Sequence, residues 1–317
     1  MKKLFAIILT VAMVVCFAAC GGETAKAPAK LTFATGGSAG TYYAYGTVLA
    51  EYVSNKTDVS VTAITGNGSK TNVEDLDAGD IQLAFCQSDV MSYAYDGTNL
   101  FDKKVDSFSV VAALYMEQVQ IVTCDPSIKT VADLKGKTVS VGAQGSGTYF
   151  NAVDCLSAYD LTMNDINPKY LDFASSTEEL KDNKIDAAFV VAGAPTNSIT
   201  ELSTSKQAYL VSIDAAHADK LIASNPYYSK NTISKDAYGL DADAETVAVA
   251  AMVLVRDDVS DDVVYTLTKT IFDGKAEIQH AKAEDLDTKF ASSVTAVPFH
   301  KGAAKFYSEN GITVKTK

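Results

Sequence analysis

A single arginine, Arg256, serves the whole chain of 317 residues, and tryptophan is absent. Bidentate clamping of a ligand carboxylate is the usual work of a guanidinium. Arg256 stands in VLVRDD, beside two aspartates at the end of a strand-like run, where a local ion pair is the plain reading. Histidine is scarce too: His217, His280 and His300 stand outside any HExxH or HxxH pattern, and there is no CxxC. A zinc site is therefore not expected. His300, in VPFHKGA, reads as the cap or brace of a C-terminal helix. GxxxxGK[ST] is missing, and TGGSAG is not GxGxxG. These absences exclude a P-loop and a dinucleotide fingerprint. Neither catalysis nor a cofactor is expected. Basic residues are also short, 27 against 39 acidic, for a net charge of −12. A chain so acidic is a poor electrostatic partner for nucleic acid or an anionic bilayer.

Long apolar runs are missing as well. The N-terminal LFAIILTVAMVV falls short of the ~20 residues that a membrane-spanning helix needs. It follows Lys2 and Lys3 and precedes FAAC, the arrangement of a secretory signal. The small-small-Cys ending resembles a bacterial lipobox. Residues 1–19 are expected to be removed, with Cys20 lipidated, and residues 20–30 read as a tether. Cys86, Cys124 and Cys155 are then an odd number. Cys86 and Cys124 end strand-like runs, and three reduced thiols packed as small hydrophobes are expected.

What the chain has in quantity is short β-rich runs, among them LTFAT, VSVTAI, IQLAFC, FSVVAALY, VQIVTC and TVAVAAMVLV. Helical patterns separate most of them; Tyr45, Val48, Leu49, Tyr52 and Val53 make one apolar face. Strands alternating with helices predict an α/β fold with mostly parallel sheets.

A weak repeat divides the chain. GTYY at Gly40 is followed 34 residues later by EDLDAGDIQLAF, and GTYF at Gly147 is followed 31 residues later by EELKDNKIDAAF. Two matches in the same order predict two lobes on one plan. Lobe 1 is expected over residues 31–115 and 213–317, and lobe 2 over 116–212. TVAVAAMVLV would be an extra strand of lobe 1 or the hinge. In each lobe a glycine-rich loop, TGGSAGT or GAQGSGT, follows a strand and opens a helix. Ligands of open parallel sheets bind beyond the carboxyl ends of the strands, and helix N-termini favour anions. Gly37, Ser38, Thr41, Gln144, Gly145, Ser146 and Thr148 are thus candidate ligand contacts. Ser38, Thr41, Ser146 and Thr148 equally suit helix capping.

Beyond these motifs the chain resembles the TAXI-type solute receptors of TRAP transporters. The similar stretches include ATGGSAGTYYAYGTVLAEYV, GDIQLAFCQSD, LYMEQVQIV, DLKGKTVSVGAQGSGT, IDAAFVVAGAP, PYYSKNTI and VPFHKGA. Met116 and Lys301 stand where that family often has proline. The resemblance implies a type II periplasmic-binding-protein fold, two lobes joined by a hinge. It also implies capture of a glutamate-like or other small carboxylate and delivery to an ion-gradient-driven TRAP permease, from a lipid-anchored position outside the cell membrane.

The equivalent strand ends of the two lobes supply further candidates. Gln87 and Ser88 offer amide and hydroxyl groups; Asp89 is a partner for a ligand ammonium or a helix cap. Gly193 and Pro195 would shape the wall, and Tyr115 would stack on the ligand or sit in the core. Of Tyr42 and Tyr43, one is expected in the cleft and one in the core. With its one arginine placed elsewhere, the cleft is expected to prefer a monocarboxylate or a zwitterion to a dicarboxylate. Two other readings share the fold: the receptor of an ATP-driven importer, and a sensory or adhesive lipoprotein with no small ligand.

Overall fold

Two strands longer than a single lobe requires carry the chain between two cores. The computed structural model describes residues 29–99 and 101–317. The expected signal, most of the tether and Cys20 lie outside these residues. The first unit is β1 (Lys30–Ala34), α1 (Thr41–Lys56), β2 (Ser60–Ile64), α2 (Ser69–Ala78) and β3 (Leu83–Gln87), followed by α3 (Ser88–Asp96) and the long β4 (Phe108–Thr123). The second repeats the pattern as β5 (Thr138–Ser140), α4 (Gly147–Ala158), β6 (Asn167–Lys169), α5 (Phe173–Lys181) and β7 (Ala187–Ala192). Then come α6 (Asn197–Ser205), β8 (Tyr209–Val211), α7 (Ala215–Ser224), β9 (Ser229–Ile233), the long β10 (Ala244–Arg256), α8 (Asp261–Asp273), α9 (Thr288–Ala291) and α10 (Lys301–Glu309).

The strand order β2-β1-β3-β10-β4-β7-β5-β6 is close to a mirror. At each end three parallel strands put the unit's first strand in the middle. The repeat seen in the sequence is therefore a repeat of topology. At the centre β10 and β4 run antiparallel. The second half of β10, Ala251–Val255, pairs β3, whereas its first half, Ala244–Ala248, pairs β9. β4 joins β7 only from Gln118 onward. Each long strand thus serves one lobe with one half and the other lobe with the rest.

Strand alternation builds the cores. In β7, Ala187, Phe189 and Val191 face one core of the second lobe, while Ala188, Val190 and Ala192 face another. Ile213, Ala218, Leu221, Tyr228, Val247 and Val249 belong to the first of these. The return to lobe 1, expected at residue 213, therefore falls inside β10. The physical reason is that α7 lays its apolar face on α4 instead of crossing back.

Local packing holds the loops at the strand ends. In α1, Tyr45, Leu49 and Val53 are fully buried at helical spacing. Asn72 of α2 donates through Nδ2 to Thr35 O at 2.7 Å and to Phe85 O at 2.8 Å, joining the ends of β1 and β3. Arg256 is held by Asp258 at 2.7 and 3.0 Å and by the carbonyls of Gly79 and Ile81. It is a strand-end anchor, as its neighbours in the sequence suggested. His300 caps α10, its Nδ1 accepting from the Gly302 amide at 3.2 Å. All three cysteines of the described residues are free thiols.

Candidate functional site

The loops that follow β1, β2, β5 and β6 meet around a cavity of about 460 Å³ between the lobes. Gly36, Gly37, Ser38, Gly40, Thr41 and Tyr42 wall it on one side; Thr65 to Ser69 and Thr71 form a second wall. Across from them are Ala143, Ser146, Gly147, Thr148, Asp172 and Phe173, with Gln87 and Glu117 at strand level. Among the described residues, no lysine or arginine lines it. Small-molecule sites usually enclose roughly 300–1,000 Å³.

The lobes are shut upon each other. Thr41 Oγ1 donates to Gly193 O at 3.1 Å. The amides of Lys70 and Thr71 donate to Gly145 O at 3.1 and 3.3 Å. Tyr93 OH donates to Asn225 Oδ1 at 3.1 Å, and Asn151 Nδ2 to Asp89 Oδ2 at 3.0 Å. Gly147 comes so close to the first lobe that a Cβ there would lie 1.9 Å from Gln87 Oε1.

Several helices start at this cavity. α1 starts after Gly40, which has no side chain to cap it. The first amides of a helix have no intrahelical acceptor, so those of α1 are left for solvent or ligand. α2 starts after Gly68, again uncapped, with two of its amides spent on Gly145. α4 is capped by Ser146, whose Oγ accepts from the Tyr149 amide at 3.3 Å. α5 is capped by Asp172, accepting from the Ser175 amide at 2.7 Å. Each N-terminus adds partial positive charge, worth about 0.3–1 kcal/mol to an exposed anion.

Against these dipoles stands one buried acid. Glu117 is 2% exposed, in the middle of β4 where it leaves one lobe for the other. Tyr42 OH donates to its Oε2 at 2.7 Å, while the Tyr42 ring stacks on Phe85 at 4.5 Å. Burial pushes the Glu117 carboxyl up to about 8; Asp89 pushes the same way, while Tyr42, Gln87 and Lys282 pull it back. Gln87, also 2% exposed, leaves its Oε1 without a hydrogen-bond partner.

The expected contacts divide. Gly37, Ser38, Thr41, Tyr42, Gln87, Ser146 and Thr148 line the cavity. Ser146 is both wall and cap; Thr41 is wall and cross-lobe bond, not a cap. Tyr42 takes the cleft position, but the core position belongs to Tyr45; Tyr43 is half-buried outside both. Ser88 is spent on the Ala250 amide at 3.1 Å. Asp89 is fully buried behind the cavity wall on Asn151, neither cap nor cavity group. Tyr115 is a core ring, edge-on to Tyr45 and Phe85. Gln144 and Pro195 are exposed, and the carbonyls of Gly145 and Gly193 serve closure.

Sequence reasoning missed Glu117, the Thr65–Thr71 loop, Asp172 and Phe173. The first two had signals. Glu117 is the one acid inside the apolar run FSVVAALYMEQVQIVT. TGNGS follows a strand and opens a helix, as the two recognised loops do. Asp172 and Phe173 open a helix after a three-residue strand without glycine, and carry no such mark.

The model of the NMT1-like family matches residues 33–311. Similar solved structures include the alkanesulfonate-binding protein SsuA from Xanthomonas axonopodis pv. citri bound to MOPS, 17% identical over 90% of this chain and 85% of that one, with a TM-score of 0.52. Another is PhnD1 from Prochlorococcus marinus (MIT 9301) in complex with methylphosphonate, 11% identical over 90% of this chain and 100% of that one, with a TM-score of 0.53. The two-lobe periplasmic-binding-protein-like fold is thereby established. The resemblance to TAXI receptors of TRAP transporters is corrected: the matching family is the NMT1-like one, and neither structural relative is a TRAP receptor.

Proposed function

The chain belongs to the NMT1-like family, and we propose that it is an extracytoplasmic receptor that shuts its two lobes on a small solute with one anionic group. It then hands the solute to the membrane permease of an ATP-driven importer, anchored by a lipid on Cys20. The observation that carries the reading is the 460 Å³ cavity, walled by glycine-rich loops of both lobes, with the first-lobe helices α1 and α2 starting there without a side-chain cap. The bound MOPS and methylphosphonate of the two structural relatives, each an acid of small size, fit the same reading. Of the two receptor readings that the sequence admitted, the ATP-driven one remains after the TAXI resemblance is set aside. Binding rather than chemistry suits a site that offers backbone amides and hydroxyls but no nucleophile paired with a base.

Thermal denaturation of the purified chain against amino acids, monocarboxylates, dicarboxylates, sulfonates, phosphonates and sugars tests this. A true solute at a hundredfold its dissociation constant should stabilise the chain by about 2.7 kcal/mol. Over a chain this long that is a rise of several degrees. A flat response from protein stripped of bound solute would favour the sensory or adhesive reading.

A further inference from the structure

We infer that Glu117 is the specificity-determining residue of the cleft and that it receives a protonated amine of the solute, so that the ligand is a zwitterion of amino-acid type. This rests on the receptor reading above and goes beyond it to the substrate class. Glu117 lies buried in the cleft floor, and once ionised such a carboxylate repels an anion and is stabilised by a cation beside it. The carboxylate here is not an ion-pair partner of the protein. The nearest cation, Lys282, sits over the Tyr115 ring at 5.8 Å and pairs with Asp285 at 3.3 Å. Nor does Arg256, at the far strand end, reach it.

The neighbouring groups complete an acceptor set. Tyr42 donates to Glu117 Oε2, the Gln87 side chain also restrains the carboxyl, and Glu117 lines the cavity, where the carboxylate can accept. Gln87 Oε1 is buried and unpartnered beside it, against the start of α4. A buried acceptor left unmade costs about 1–3 kcal/mol. An ammonium carries three N–H donors and answers both groups at once. The anionic end of the same molecule then falls to the free amides at the start of α1, on the loop before Tyr42. Opposite charges are thus served by adjacent parts of one cavity, and a dicarboxylate is rejected by its second charge.

Paired solutes test this. Calorimetric titration compares alanine with propionate, leucine with 4-methylpentanoate, and glutamate with glutarate. Within at least one pair the amino acid should bind the wild-type chain at least a hundredfold more tightly. Glu117→Gln should reduce that ratio below tenfold without weakening the deaminated acid. The wild-type ratio needs no variant, so a poorly folded Glu117→Gln chain does not shield the proposal. A pH series adds a second readout. The amine needs ionised Glu117, whose burial holds its proton up to about 8. Affinity should therefore rise toward tenfold per unit from pH 6 to 8 in the wild type and stay flat in Glu117→Gln. The other groups facing Glu117 are Tyr42, Cys86, Gln87, Asp89, Tyr115 and Lys282, and all are present in both chains. Deaminated acids binding as tightly as amino acids, or an unchanged ratio in Glu117→Gln, overturn the inference and leave the receptor reading standing. If no member of any pair, and no solute of the wider panel, binds, the receptor reading fails and this inference with it.

Discussion

Gly147→Val keeps its fold and loses most of its solute affinity. Gly147 opens α4 at the seam between the lobes. A Cβ there would lie 1.9 Å from Gln87 Oε1, 2.4 Å from Gln87 Cδ and 2.9 Å from Ser69 Oγ. All of these atoms belong to the opposite lobe. With the lobes apart the added atoms meet solvent, and a branched side chain in the first turn of a helix is a minor burden. With the lobes shut, Gln87 must swing away, and it is buried beside Glu117. Overpacking of this kind costs about 1–3 kcal/mol. At 1.4 kcal/mol per tenfold, the solute should bind roughly 5- to 150-fold more weakly. Calorimetric titration reads the loss, and the unfolding temperature without solute should stay within a few degrees of wild type. Unchanged affinity would mean that the solute-bound lobes do not meet at this seam.

Asp89→Asn stabilises the chain at pH 8 and does little at pH 4. Asp89 is fully buried, with Oδ2 on Asn151 and Oδ1 unpartnered. Burial, then the nearby Asp154, pushes its carboxyl up to about 7, against the restraint of the Asp89 and Val90 amides and Asn151. The folded chain thus holds a proton that the unfolded chain releases near pH 4. The stability linked to that proton is present below about pH 4 and is lost as pH rises through about 7. Asparagine carries no such proton and keeps the bond to Asn151 through its own carbonyl. A rise of about three units corresponds to on the order of 2–4 kcal/mol. The gain over wild type should therefore grow by several degrees of Tm between pH 4 and 8. Glu117 and Asp154, raised in the same direction to about 8 and about 6, are coupled to the Asp89 charge, so its removal also eases their ionisation and adds to the gain at pH 8. A gain independent of pH would show that Asp89 does not titrate in this window.

The paired GTYY/GTYF and EDL/EEL motifs marked α1, α2 and β3 and their partners α4, α5 and β7, because glycines before a helix and alternating apolar residues report local geometry. Half of the cleft wall was legible for the same reason. The lobe boundary was not: an apolar strand such as TVAVAAMVLV reads alike whether it serves one lobe or two. Nor was the fate of neighbours in sequence. Gln87, Ser88 and Asp89 are adjacent, yet one faces the cavity, one holds β10 and one is sealed behind the wall. A strand turning into a helix sends successive side chains in different directions, and polarity alone does not say which. The TAXI resemblance failed differently. Its stretches are those that build strands, glycine loops and helix starts, and such features report a fold, not a transport partner.

Hydrogen exchange read by mass spectrometry, with and without the solute found by thermal denaturation, tests most directly that the solute is held between the lobes. Bound solute should slow exchange together at residues 36–43, 65–71 and 143–149, loops of both lobes that share no sequence neighbourhood. Slowed exchange confined to one lobe, or lying away from these loops, would contradict it.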